Sequence, residues 1–141
     1  MSNTLNNPID DTNLWVDTLL AKLDGATNGV LSAKIGDQTV EAFIGDQTVQ
    51  FFRNNKVLLI KIGLDLFKQF LMLIHEKRDE EAFAILLQKM EADEIIAKLT
   101  ADAMELQQMN DDHDAFIASL RAWAIQTLTS AATKLLLALL P

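Results

Sequence analysis

The segment IGDQTVEAFIGDQTV, Ile35 to Val49, carries the hexapeptide Ile-Gly-Asp-Gln-Thr-Val twice, nine residues apart. How that repeat folds decides the architecture around it. Nine residues turn an α-helix by about 900°, half a turn out of register, and nine is an odd step for a strand. Two copies inside one element would therefore face opposite sides. The conflict disappears if each Gly-Asp pair is a two-residue hairpin turn, with Gly supplying the positive φ that a primed turn demands. Gly36-Asp37 then pairs Ile35 with Gln38 and Ala33 with Val40, and Gly45-Asp46 pairs Ile44 with Gln47 and Ala42 with Val49. Both registers gather Leu31, Ala33, Ile35, Val40, Ala42, Ile44, Val49 and Phe51 on one face. Ser32, Lys34, Thr39, Glu41, Thr48 and Gln50 fall on the other, with Phe43 and Phe52 as exceptions.

The same rule extends downstream. Asn54-Asn55 tolerates positive φ and pairs Phe51 with Leu58 and Val49 with Ile60, adding Leu58, Ile60 and Ile62 to the apolar face. The rival for residues 56–62 is a helix continuing through the next segment, but β-branched Val57, Ile60 and Ile62 followed by Gly63 favour a strand. The expectation is a three- or four-stranded antiparallel β-meander over residues 30–62.

Upstream, Leu14, Trp15, Leu19, Leu20 and Leu23 recur at helical spacing and Gly25 stands where the turn stops, so residues 12–25 are expected as a helix. Residues 1–11 form a polar leader without the basic start and apolar core of a signal peptide, and no apolar run is long enough to span a membrane, which places the chain in the cytoplasm. Downstream, residues 64–140 are expected as about four helices. Leu66, Phe67, Phe70, Leu71 and Ile74 mark the first, with HEKRDEE as its charged exit; Phe83, Leu86, Leu87 and Met90 mark a second from about Asp79. Ile95, Ile96, Leu99, Ala103 and Leu106 mark a third, and the last runs from Asp112 toward Leu140. The fold class is α+β, in a single domain over residues 1–141.

A net charge of −8 and the absence of cysteine exclude several chemistries. Cysteine ligands, thiolate catalysis and disulfides are out, and a phosphate-backbone binder needs clustered Lys and Arg. No nucleic acid and no membrane are expected as partners, whereas a basic protein surface suits the charge; residues 63–110 alone hold ten acidic residues against five basic. Asp111, Asp112, His113 and Asp114 in MNDDHDAF are weak candidates for a metal or for carboxylates beside an imidazole. Acids bunched before a helix are better explained as N-caps. HEKRDE, from His75, begins like a zincin motif but has Asp79 where the second imidazole belongs. No catalytic residue, cofactor site or metal site is assigned.

From Ala115 to Pro141 the chain has no acid, and only Arg121 and Lys134 are charged. A helix unbroken to its end would run roughly 40 Å, longer than a small domain, so it must kink or meet another chain. Leu128, Leu135, Leu136, Leu139 and Leu140 are therefore the candidate interface of a homodimer. These features favour a non-enzymatic protein-binding or assembly protein, acidic and self-associating, similar only in general plan to secretion chaperones and immunity proteins. One alternative is a structural subunit of a larger viral or injection-machine particle. Another is a small enzyme or metal-binding protein using Asp111 to Asp114.

Overall fold

The computed structural model describes residues 14–24 and 29–141, so the polar leader and the Gly25 stop lie outside the described residues. Within them the chain is α+β and predominantly helical: α1 (Trp15–Asp24), β1 (Gly29–Ile35), β2 (Gln38–Ile44), α2 (Asp46–Asn54), α3 (Lys56–Ile62), α4 (Leu64–His75), α5 (Asp79–Ala97), α6 (Ala103–Thr127) and α7 (Ser130–Leu139).

The first hexapeptide folds as expected. β1 and β2 pair antiparallel, Ile35 with Gln38 and Ala33 with Val40, around a two-residue turn in which Gly36 has φ +60°. Asp37 has no positive φ, so the turn is of the type II′ kind, with the strain placed on the residue that lacks a Cβ. Leu31, Ala33, Val40 and Ala42 line the inner face, packed on the core, and α7 lies against both strands. Ser32, Lys34, Thr39 and Glu41 are exposed on the outer face.

The second hexapeptide corrects the meander. Gly45-Asp46 is not a turn: Gly45 is extended at φ −84° and ψ 162°, and Asp46 opens α2. Among the described residues the sheet has two strands, not three or four. The physical reason lies in the residues after Val49. Phe51 and Phe52 are adjacent, and a strand would send one of them into water, whereas a helix keeps both inside one arc with Thr48 and Val49. All four are buried. An acid in the first turn also suits the helix dipole.

Asn54-Asn55 is likewise a helix junction and not a hairpin. Asn55 Nδ2 donates to the Phe51 carbonyl at 2.9 Å and to Ser119 Oγ at 3.2 Å, tying the corner to α6. Residues 56–62 are α3, with Leu59 and Ile62 buried three apart; burial on one helical stripe overrides the β preference of Val57, Ile60 and Ile62. Gly63 ends this helix at φ +91°, a conformation open to glycine, and lets α4 start in a new direction.

α4 buries Phe67, Phe70 and Leu71, with Leu66 and Ile74 half-buried, as its spacing predicts. α5 starts at Asp79, as expected, and buries Phe83, Leu86 and Met90. The third expected helix does not exist as such: α5 continues to Ala97 and α6 begins at Ala103, so its residues are divided between the two arms of a helical hairpin. The long terminal helix kinks instead of running on. α6 ends at Thr127, and Thr129 adopts φ −72° and ψ 168° and caps α7 through Oγ1 to the Ala132 N–H at 3.1 Å.

Six of the seven phenylalanines and both tryptophans build the core. Phe51 stacks on Trp123 with centroids 4.3 Å apart and planes 6° from parallel. Phe52 meets Trp123 edge-on at 5.3 Å and Phe67 at 5.8 Å, and Phe67 reaches Trp15 at 5.3 Å. Trp123 Nε1 donates to Thr48 Oγ1 at 3.2 Å, which satisfies a buried donor. Phe43 is the exception, 62% exposed.

Candidate functional site

Asp111, Asp112, His113 and Asp114 lie inside α6, not before a helix, so the expected capping role is corrected. Asp102 performs it, its Oδ1 accepting from the Glu105 N–H at 2.8 Å. Successive helical residues diverge by about 100°, which separates the cluster. Asp111 and Asp112 point to solvent and accept from Gln107 and Gln108 at 3.0 and 2.9 Å. His113 turns inward, 8% exposed, with Nδ1 3.6 Å from Glu94 Oε1 and no hydrogen bond. Among the described residues no three His, Cys, Asp or Glu side chains come together as a metal would require.

His75 ends α4 and lines a cleft of about 340 Å³ with Asp79, Phe83, Leu128 and Ser130. Its Nδ1 stands 3.4 Å from Ser130 Oγ, at the limit of a hydrogen bond. The hydroxyl is exposed, and the pair is a contact between α4 and α7; among the described residues no carboxylate is paired with the ring. Just beyond, Glu81 and then Glu76 hydrogen-bond Arg78 and raise its guanidinium above its ordinary value. These charges fasten the exposed α4–α5 turn.

The interface leucines are placed differently from expectation. Leu135, Leu136 and Leu140 are buried in the chain's own core, and Leu128 and Leu139 are half-buried against it. The kink at Leu128 and Thr129 folds α7 back onto the β-hairpin and α4, so one chain covers the segment. The turn residues Gly36 and Asp37 keep their structural role, while Gly45, Asp46, Asn54 and Asn55 serve as helix-end residues.

Among the exposed apolar side chains of the described residues, two groups stand out. On the outer face of the hairpin, Phe43 and its cross-strand partner Val30 are 62% and 64% exposed. Phe43 also lines an open cleft of about 690 Å³ between the end of β2, the start of α2 and the α6–α7 kink. At the tip of the α5–α6 hairpin, Ile95, Ile96, Leu99 and Met104 are 62–83% exposed. The tip is also charged: residues 91–114 hold eight acidic residues and one basic, a net −7 of the chain's −8.

For the first surface the sequence held a signal, since Phe43 breaks the polar alternation of its strand face. For the tip it held none, because apolar residues at helical spacing are usually core. Comparison of the chain with protein-family models, curated proteins and solved structures finds no match.

Proposed function

We propose that the chain is a non-enzymatic protein-binding and assembly protein that self-associates through the outer face of its β-hairpin. The observation that supports this reading is the exposed Val30–Phe43 pair. Phe43 is the one phenylalanine outside the core among the described residues, and it sits on a two-stranded sheet whose strands each keep an open edge. The face carries one charge of each sign, Lys34 on β1 and Glu41 on β2, so a twofold axis diagonal to the strands would set each beside its opposite in the second copy. Burying a Phe and a Val from each copy contributes roughly 1.5–3 kcal/mol per side chain, of the size needed to offset the entropy of association.

Sedimentation of the full chain at tens of micromolar tests this. The expected result is a dimer for the wild type and a monomer with unchanged thermal unfolding for Val30→Glu, Phe43→Glu. A monomeric wild type refutes self-association, and a dimer that withstands both charges places the interface elsewhere.

A second reading, a structural subunit of a larger particle, is favoured by the presence of two separate apolar surfaces, since two different contacts per chain allow growth beyond a pair. Mass that climbs past the dimer with concentration supports it.

A further inference from the structure

We infer that the distal half of the α5–α6 hairpin docks a cationic amphipathic polypeptide segment, apolar side chains against the tip and Lys or Arg along the flanks. This deepens the protein-binding part of the reading above and does not depend on self-association. Two independent properties coincide here. Ile95, Ile96, Leu99 and Met104 all stand exposed at the tip, and exposed apolar side chains gathered at one end of a fold mark an interaction site. Around it, residues 91–114 carry −7, while the rest of the chain, with twelve acidic and eleven basic residues, is close to neutral.

The charge is poorly neutralised from within. Lys89 holds Asp93 at 2.9 Å, but among the described residues no Lys or Arg lies in ion-pair reach of Glu91, Glu105, Asp111, Asp112 or Asp114. The first residues of α6, from Ala103 to Asp112, rise about 15 Å, enough to match a partner helix of two to three turns. Charge also rejects the other occupants. A second copy placed tip to tip brings −7 against −7, and nucleic acid or anionic lipid is repelled in the same way. An uncharged apolar segment would cover the tip and leave the acids without counter-charge.

The test is calorimetry of the full chain with synthetic peptides of about 14 residues carrying leucines at helical spacing. One has lysine at the remaining positions, a second has glutamate there, and a third keeps the lysines but replaces leucine by serine. The lysine–leucine peptide is expected to bind one to one and to weaken at least tenfold when salt rises from about 50 to 500 mM. Ile96→Ser, Leu99→Ser, Met104→Ser should lower its affinity at least tenfold, and Glu105→Gln, Asp111→Asn, Asp112→Asn should lower it and flatten the salt dependence. These positions are all exposed, so each variant is expected to fold, which thermal unfolding checks. Absence of binding, equal binding of the glutamate or serine peptide, or undiminished affinity in the tip variant overturns the inference. Phe43→Glu should leave peptide affinity unchanged; an equal loss there places the peptide on the β-hairpin and also overturns it.

Discussion

Ile35 to Val40 and Ile44 to Val49 have one sequence and two structures. In the first copy Gly36 is left-handed and the chain reverses; in the second Gly45 is extended and the chain enters a helix. Thr39 is exposed and Val40 half-buried, whereas Thr48 and Val49 are buried. The hexapeptide therefore permits a turn without imposing one. The continuation decides: Glu-Ala-Phe-Ile after Val40 alternates and pairs back along β1, while Gln-Phe-Phe-Arg after Val49 puts two aromatics side by side, which a helix buries together and a strand of this sheet, wet on its outer face, does not.

Identical substitutions in the two copies turn this difference into measurements. The largest contrast is expected for valine. Val49→Asp places a carboxylate in an apolar core and should cost at least about 4 kcal/mol, enough to unfold a domain of ordinary stability, while Val40→Asp, with water within reach, should cost about 1–2. Urea denaturation followed by circular dichroism gives both values, and equal losses would mean that Val49 does not occupy the core face of a helix.

Threonine gives the next contrast. Thr48→Val removes the acceptor of the buried Trp123 N–H and should cost about 1–3 kcal/mol, with a change in tryptophan emission; Thr39→Val, on the exposed face of β2, should stay within about 0.5. The smallest contrast differs in sign. Gly36→Ser forces a side chain into the left-handed region and should lose about 1 kcal/mol, a fall in Tm of roughly 4 °C. Gly45→Ser meets only ordinary contacts, with Phe43 Cε1 at 3.6 Å from the new Cβ, and supplies a hydroxyl at a helix start that lacks a side-chain cap, so it should gain a few tenths of a kcal/mol. A loss at Gly45 as large as at Gly36 would break the comparison.

The first hairpin and its register, α1, the buried face of α4 and the start of α5 are legible in the sequence because each rests on a local rule that tertiary packing does not override. The second copy misleads because the alternation test accepts Val49 and Phe51 and sets Phe52 aside as an exception. That exception is the signal, since a fully buried phenylalanine has to be counted. Residues 56–62 mislead for a related reason: β-branched content describes a preference, and Leu59 with Ile62 supplies a stronger one. At the candidate surfaces the sequence misleads in both directions. It marks Leu135 and Leu136 for an interface and Ile95, Ile96 and Leu99 for the core, because hydrophobicity says that a residue prefers burial and not whether its own chain reaches it.

The kink at Leu128 and Thr129 also decides what closes the sheet. The pairing of the β-hairpin is local and complete at Ile44, yet its inner face is covered by α7, about a hundred residues later in the chain. α1 packs instead on α2 and α3, with Arg53 paired to Asp24 and Lys56 to Asp17, and meets the end of α7 through Lys22 Nζ, which donates to the Leu139 carbonyl at 2.8 Å. Without α7 the inner face of the hairpin, with Leu31, Ala33, Val40 and Ala42 on it, loses its main cover. α7 thus acts as a latch that closes the sheet onto α4, and a variant truncated before Ser130 is expected to bare the apolar face of the hairpin.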